Sequence, residues 1–562
     1  MTSIKQWFVG HQYWIILAVL FISFLTLRLP GLDIPYHQDE YKWPLYANPA
    51  VFAPGSVPHP PLTELIYRVG GHAIGYDNFR MIPLGFSVLN FLLVAYAGYL
   101  MFGKRGSLWI SGLFTFSFYG LLASLTVDVD GAVMVFFFLS ALVCYLNFKS
   151  KEYRVSKSTI FWLLGFIISI ALGFLIKLSF IIPIGVFATD FFLEKGYFKN
   201  KKKILLSLGY SVVGLLSLGL LVYLSQFLFP FFRLGWSIGY WDTFIKFSHR
   251  GWFQTGIQFA KALMYLSPFL VLVPLLSTKE LYKQNRIFWL FIGYGLVFYL
   301  FLFDFSIGAL DRYFAFLVVP LCFIVGSVFA KESESSDGRV AIQKRDTVFI
   351  LLLSSIIFGS QFLAHSVPPQ HPKAEWINAI TSMHWNFLFP FTGGSGPTGF
   401  YMSFFLIGIT WVISFLFVLF VRTKPRFKKV ILFFLLVLGI LYNGVFIEEY
   451  VYGRINGSPY GLFANAKNFI IENKDITQVV VYNDIGGYEI RETGKYARRM
   501  YATPQFSAEY EKYFSTFSGH VLYIDIPRIG KDTMYMNYFN TCQVIYSDTD
   551  KNVHATIYDC RK

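Results

Sequence analysis

The chain has 562 residues, 55% hydrophobic and only 14% charged, with 64 Phe and 36 Tyr. Its repeated apolar runs of roughly 17 to 25 residues exceed what a soluble core helix needs and match the hydrocarbon thickness of a bilayer, which excludes a soluble globular enzyme. A formal net charge of +15 would suggest nucleic acid in a soluble protein, but here the Lys and Arg lie mostly in short loops between apolar runs, where they report topology and no nucleic-acid partner.

In chain order, the first apolar run spans 13–27 and closes at Arg28-Leu29-Pro30. It has little positive n-region and no small-residue cleavage site, so it reads as a retained span. Beyond it come Asp39-Glu40 and then Pro58-His59-Pro-Pro-Leu62, within a stretch dense in Pro, His and aromatics. Plain connections between spans are usually short. A long one, carrying adjacent carboxylates at the bilayer edge, reads as a site.

Thirteen spans are expected, near 12–28, 81–102, 108–125, 131–148, 159–176, 178–193, 204–230, 262–277, 287–303, 314–330, 347–364, 400–421 and 430–447. With the N-terminus inside, the basic stretches 104–105, 149–157, 195–203, 279–286, 331–345 and 422–429 fall on one side, which the positive-inside rule makes cytoplasmic. An odd number of spans sends the tail outside. The expected division is therefore a transmembrane domain over 1–447, with an outer loop 29–80, and an extracytoplasmic α/β domain over 448–562. In the tail, 479–482 and 521–524 read as strands and 462–471 as a helix. Cys542 and Cys560 sit in mirrored positions about Lys551, so a hairpin there sets them opposite each other, close enough for a disulfide. Cys144 and Cys322 lie in spans as apolar packing residues.

The acidic turn Asp128-Val-Asp130 after the third span is costly at a membrane edge unless paired or hydrated. Lys177 interrupts the apolar run 171–183, Arg80 opens the second span, and Asp311-Arg312-Tyr313 opens the tenth. By alternation all of these face the same side as Asp39-Glu40. Phosphate-loop, CxxC and HExxH motifs are absent, and His249, His365, His371 and His384 lack ligand spacing, so no metal site is indicated.

A carboxylate pair after the first span, a His-Pro-Pro-Leu segment, an Arg opening the second span and an acidic turn after the third together resemble the GT-C membrane glycosyltransferases. Among these, the protein O-mannosyltransferases and the lipid A aminoarabinose transferases are most similar. The resemblance is strongest over 28–150, continues through Lys177 and Asp311-Arg-Tyr-Phe314, and extends to the thirteen-span layout with an outer C-terminal domain. His59-Pro-Pro-Leu62 is similar to the mannosyltransferase version. The aminoarabinose transferases have Glu-Lys where this chain has Pro58-His59, which counts against lipid A specificity. The Trp-Trp-Asp signature of oligosaccharyltransferases is absent, and Tyr240-Trp-Asp242 does not replace it.

The resemblance implies inverting transfer of a sugar from a polyprenyl-phosphate donor to an acceptor hydroxyl on a protein, glycan or glycolipid. It implies Asp39 as base and Glu40 as its neighbour for sugar or acceptor contact. Lys177, Arg80 and Arg312 are then phosphate ligands, Tyr313 a substrate contact beside Arg312, and His59 a hydrogen-bond donor to the phosphate. Asp128 and Asp130 would orient the sugar or the Asp39 loop. The competing class is a transporter or flippase, which would place its site at the bilayer midplane in broken helices, often within inverted repeats. Neither feature is visible. A scaffold protein would not need polar residues gathered on one face.

Overall fold

The computed structural model describes residues 2–48, 59–154, 156–245, 251–304, 311–334, 343–363, 365–392 and 399–561. Pro58, His249 and Gly338 lie outside the described residues, as does the side chain of Asp311. The chain forms two compact units: Met1–Leu32, Trp43–Leu266 and Leu270–Arg339 make the first, and Asp33–Lys42, Ser267–Phe269 and Val340–Lys562 the second.

In the first unit, apolar composition dictates helices throughout. Leu205, Leu208, Leu216 and Phe227 of helix Lys201–Leu228 are exposed, as expected of a helix whose surroundings are lipid. In the span Arg312–Ser333 the largely apolar residues 313–330 are buried without exception, the signature of a central helix. Helix Met81–Phe116 is broken at Gly103, whose φ of 67° an L side chain rarely adopts. The two arms fold back on each other: Ser107 Oγ donates to the Ala95 carbonyl at 2.7 Å, and a Cβ on Gly98 would stand 3.1 Å from Ser107 Cα.

Helices occupy most of each of the thirteen expected stretches, although 400–403 is strand and the helix there starts at Phe404. Among the described residues, however, nine are long and apolar enough to cross a membrane, or ten if the pair Trp252–Tyr265 and Pro268–Leu276, bent by 107°, is one span. The shortfall has local causes. Met81–Phe116 counts once among the nine, although its backbone breaks at Gly103 between the two expected spans. Ile181–Glu194 has 14 residues, about 21 Å of helix against roughly 30 Å of hydrocarbon. Arg286–Leu302 falls in the same short class.

The second unit contains helices Lys344–Gly359, Phe404–Thr423 and Lys428–Val451, a hairpin of β1 (Leu388–Phe391) and β2 (Phe400–Ser403), and a five-stranded sheet. The sheet strands are β3 (Val479–Tyr482), β4 (Tyr496–Met500), β5 (His520–Ile524), β6 (Gln543–Asp550) and β7 (Val553–Asp559), in the order β4-β3-β5-β7-β6. β3 runs parallel to β4 and β5, while β7 is antiparallel to β5 and β6. Helix Pro459–Glu472 buries Leu462, Phe463, Ala466 and Ile470 in the same core as Val479, Val481, Leu522 and Ile557. The unit boundary differs from the compositional one at 448. Buried Glu449, at the end of the last span, accepts from Asn456 Nδ2 at 2.6 Å and Gln361 Nε2 at 3.4 Å, and Tyr401 Oη donates to the Asp525 carbonyl at 2.6 Å, so hydrogen bonds tie these spans to the sheet.

The terminal hairpin turns at Lys551, whose φ is 53°. A register shift between Val544 and Tyr546 leaves Gln543 opposite Asp559, and Cys542 and Cys560 follow, with Cα atoms 4.6 Å apart and sulfurs bonded at 2.06 Å. Cys144 and Cys322 are free. Peptide mapping of unreduced protein is expected to recover one Cys542–Cys560 crosslinked pair and alkylated Cys144 and Cys322. The Cys542→Ser, Cys560→Ser variant should lose about 2–4 kcal/mol in the C-terminal domain while the spans stay inserted.

Candidate functional site

The candidate residues fall into two groups, one in each unit. In the first unit the acidic turn 126–131 links helix Phe118–Leu125 to helix Val133–Ser150. Lys177 stands in the break between helices Lys157–Ile176 and Ile181–Glu194, its backbone extended. Arg312 lies in the 3-10 turn Asp311–Leu317 that leads into the buried span, and His59 precedes helix Pro61–Ile74.

These ends bring four charges together. Lys177 Nζ is 2.6 Å from Asp130 Oδ2, and Arg312 Nη1 is 2.5 Å from Asp128 Oδ2. Asp128 and Asp130 are each 3% exposed and Lys177 is 6% exposed. Tyr313 lies beneath both cations, 4.3 Å from Lys177 Nζ and 5.1 Å from the Arg312 guanidinium, and stacks on Tyr299 at 5.7 Å. The turn is held from below, where Tyr67 Oη donates to the Asp128 carbonyl at 2.9 Å. His59 stacks on Trp43, which stacks on Tyr67.

Charges so deeply buried persist only when paired, because desolvation of each ion costs several kcal/mol. Here two cations meet two carboxylates, and the group is neutral. The two carboxyls are driven in opposite directions. Burial works against the charge of Asp128, but Arg312 and Lys177, with the Val129 amide, hold it below the usual carboxylate range. Burial pushes Asp130 up, more than Lys177 draws it down, and the neighbouring Asp128 charge adds to the rise. Burial, with Lys177 nearby, brings His59 down to about 3, so it is a neutral imidazole at physiological pH. His59 Nδ1 and Asp130 Oδ1 are buried without a hydrogen-bond partner.

Arg80 is fully buried, and its guanidinium donates to the Leu125 carbonyl at 2.6 Å, supporting the residue that leads into the acidic turn. Buried Arg28, overlooked in the sequence, bonds Ser124 Oγ at 3.0 Å and the carbonyls of Phe24 and Thr115. Its place at the very end of the first span was the signal for it.

In the second unit, Asp39 and Glu40 share the 3-10 turn Gln38–Tyr41 but point to different tasks. Glu40 is buried and accepts from the His37 amide at 3.0 Å, closing its own turn. Asp39 is 27% exposed and ion-paired with Lys42, a neighbour three residues on that the sequence reading passed over. Among the described residues no group of three or more His, Cys, Asp and Glu is placed to hold a metal ion.

The structure of ArnT from Cupriavidus metallidurans bound to undecaprenyl phosphate is similar to this chain over 97% of each, with a TM-score of 0.54 at 13% identity. The fold is GT-C-like. The apo structure of the same ArnT is similar over 99% of this chain and 98% of that one, with a TM-score of 0.50 at 13% identity. At this identity the likeness is one of fold. No family model and no curated protein matches the sequence.

Removing one member of a buried pair strands the other. Asp128→Asn is expected to lower stability by about 3–5 kcal/mol by taking a carboxylate from the buried Arg312 guanidinium, and Arg312→Met added to it should recover a substantial part. Thermal unfolding of the purified variants in detergent measures both.

Proposed function

We propose that this protein transfers a sugar from a polyprenyl-phosphate donor to an acceptor hydroxyl at the outer face of the membrane, with inversion. The observation that carries the reading is the buried, neutral group of Lys177, Arg312, Asp128 and Asp130 beside a neutral His59. What supports it further is the fold likeness, over nearly the whole chain, to an ArnT bound to undecaprenyl phosphate.

Lys177 and Arg312 exchange a carboxylate for the donor phosphate. They stabilise it as the bond from the anomeric carbon to the phosphate oxygen breaks and the electron pair stays on the leaving group. His59, being neutral, gives the phosphate a hydrogen bond without adding charge. Asp130, with its raised proton affinity and an unpartnered oxygen, contacts a sugar hydroxyl. Asp39 takes the acceptor's proton as its oxygen attacks. Asp39 suits that role better than Glu40, whose carboxylate caps its own turn. The tail from 448 lies outside with the acceptor, and the N-terminus lies in the cytoplasm.

Asp39→Asn keeps the shape of the side chain and removes the base, so turnover of a polyprenyl-phosphate-linked sugar by purified protein should fall about 10²–10⁴-fold while donor lipid still binds. Glu40→Gln is expected to lose stability more than chemistry. Near-normal transfer by Asp39→Asn with an inactive, folded Glu40→Gln would move the base to Glu40, and normal transfer by both would remove it from this loop.

Reporter fusions at Gly338 and Lys562 should give opposite signals. The same signal from both would shift the span count by one.

A further inference from the structure

The parallel part of the sheet carries a feature that the transfer reaction has not used. From β3 the chain leads to β4 on one side, while β5, on the other side of β3, leads on toward the β6–β7 hairpin. The carboxyl ends of β3 and β5 therefore form a topological switch point, the place where open α/β sheets hold ligands. At the end of β3, Asn483 and Asp484 both adopt left-handed backbone, with φ of 52° and 58°, a conformation uncommon for non-glycine residues, though Asn and Asp adopt it more readily than most. Gly487 follows closely, and a Cβ there would stand 2.1 Å from Asp484 Oδ1.

This turn buries a carboxyl group completely. Asp484 Oδ1 accepts from Tyr496 Oη at 3.1 Å, and Oδ2 is buried without a hydrogen-bond partner. The segment Asp33–Lys42 docks on the same turn. His37 forms a bridge with Ile485, the Tyr36 amide donates to Glu489 Oε1 at 3.0 Å, and the Tyr36 ring meets Tyr488 edge-on at 5.2 Å. The docked segment brings Lys42 and Asp39 within electrostatic reach of Asp484, and β4 brings Arg499 and Tyr496. On the helix after the turn, Glu489 is taken by the Tyr36 amide and Arg491 lies over the Tyr496 ring.

We propose that Asp484 is a positioning residue for Asp39, and that the two carboxylates share the Lys42 cation. With Asp484 protonated, Lys42 stays on Asp39, the arrangement in this structure. With Asp484 ionised, the buried oxygen at the end of β3 draws Lys42 over, and the cation leaves the carboxylate that receives the acceptor's proton. The proposal rests on the reading of Asp39 as base. Burial pushes Asp484 up to about 7, against the pull of Arg499, Tyr496 and Lys42, so the exchange falls at neutral pH.

Ligand-free unfolding of the full-length protein tests the sharing itself. Asp484 titrates at 3.8 in the unfolded chain and about 7 when folded, so its contribution to stability is complete below pH 4 and is lost as pH rises to about 7. The wild-type melting temperature should therefore carry a decline across this window that Asp484→Asn lacks. Lys42→Met removes a charge that favours ionised Asp484, so the decline should extend to higher pH. An unchanged upper end in Lys42→Met overturns the proposal.

Turnover with undecaprenyl-phosphate-linked mannose as the probe supplies the second readout. Above pH 7, Asp484→Asn should be about tenfold slower than wild type, and adding Lys42→Met should restore most of the loss. Failure of that rescue, with Asp39→Asn still inactive, contradicts the sharing and leaves the base reading standing. Normal turnover by Asp39→Asn removes the base reading instead, and the unfolding profiles still decide whether Lys42 is shared.

Discussion

Four charges buried together at the ends of membrane helices are the constraint on which the first unit depends. Neither Lys177 nor Arg312 is tolerable alone in so dry a setting, and neither is Asp128 or Asp130. The local structure around them follows from that. The run 157–194 breaks at Lys177 so that its ammonium meets Asp130, and Arg312 enters the buried span through a 3-10 turn in place of an α-helical start. Arg80 and Tyr67 fix the backbone of the acidic turn so that both carboxylates stay where the cations need them. A neutral group has a chemical advantage for a phosphate enzyme: it survives without substrate, yet its cations can be reclaimed by a ligand that carries its own negative charge.

The second unit applies the same physics to a loop. Segment Asp33–Lys42 is too short to hold itself, and it gains order from the sheet through Tyr36, His37 and the closed turn of Glu40. The strained pair Asn483 and Asp484 belongs to that dock. Asn483 is tied to Thr392 Oγ1 at 3.0 Å and the Ile526 carbonyl at 3.3 Å, so two hydrogen bonds hold the left-handed turn. The C-terminal domain is thus more than an appendage of the membrane helices, since it shapes the loop that carries Asp39.

Much of this was legible in the sequence where a single residue broke a strong pattern. Lys177 inside an apolar run and two acids without basic neighbours at 128 and 130 announced a site, though not that they answer each other across 47 residues. The hairpin of Cys542 and Cys560 was legible from mirrored spacing alone. That Glu40 caps its own turn and Arg80 bonds a carbonyl was not legible, because a charge near a candidate site carries no mark of which way it points. Asp484 was hidden for the opposite reason: its sequence setting, Tyr-Asn-Asp-Ile-Gly-Gly, reads as an ordinary polar turn. The division of the run 81–125 was legible, and the backbone breaks at Gly103 between the two expected spans; the short helices Ile181–Glu194 and Arg286–Leu302 are what made the number of spans hard to read.

The claim at the centre of this account is that the buried cations receive the phosphate of a lipid donor. Native mass spectrometry of the purified chain titrated with undecaprenyl phosphate tests it most directly, comparing wild type with a variant carrying Lys177→Met and Asp130→Asn together, which removes one cation and its partner while keeping the site neutral. The account predicts that the wild type binds the lipid and that the variant, folded to the same melting temperature within a few degrees, binds at least about tenfold more weakly. Equal binding by the two proteins would contradict it.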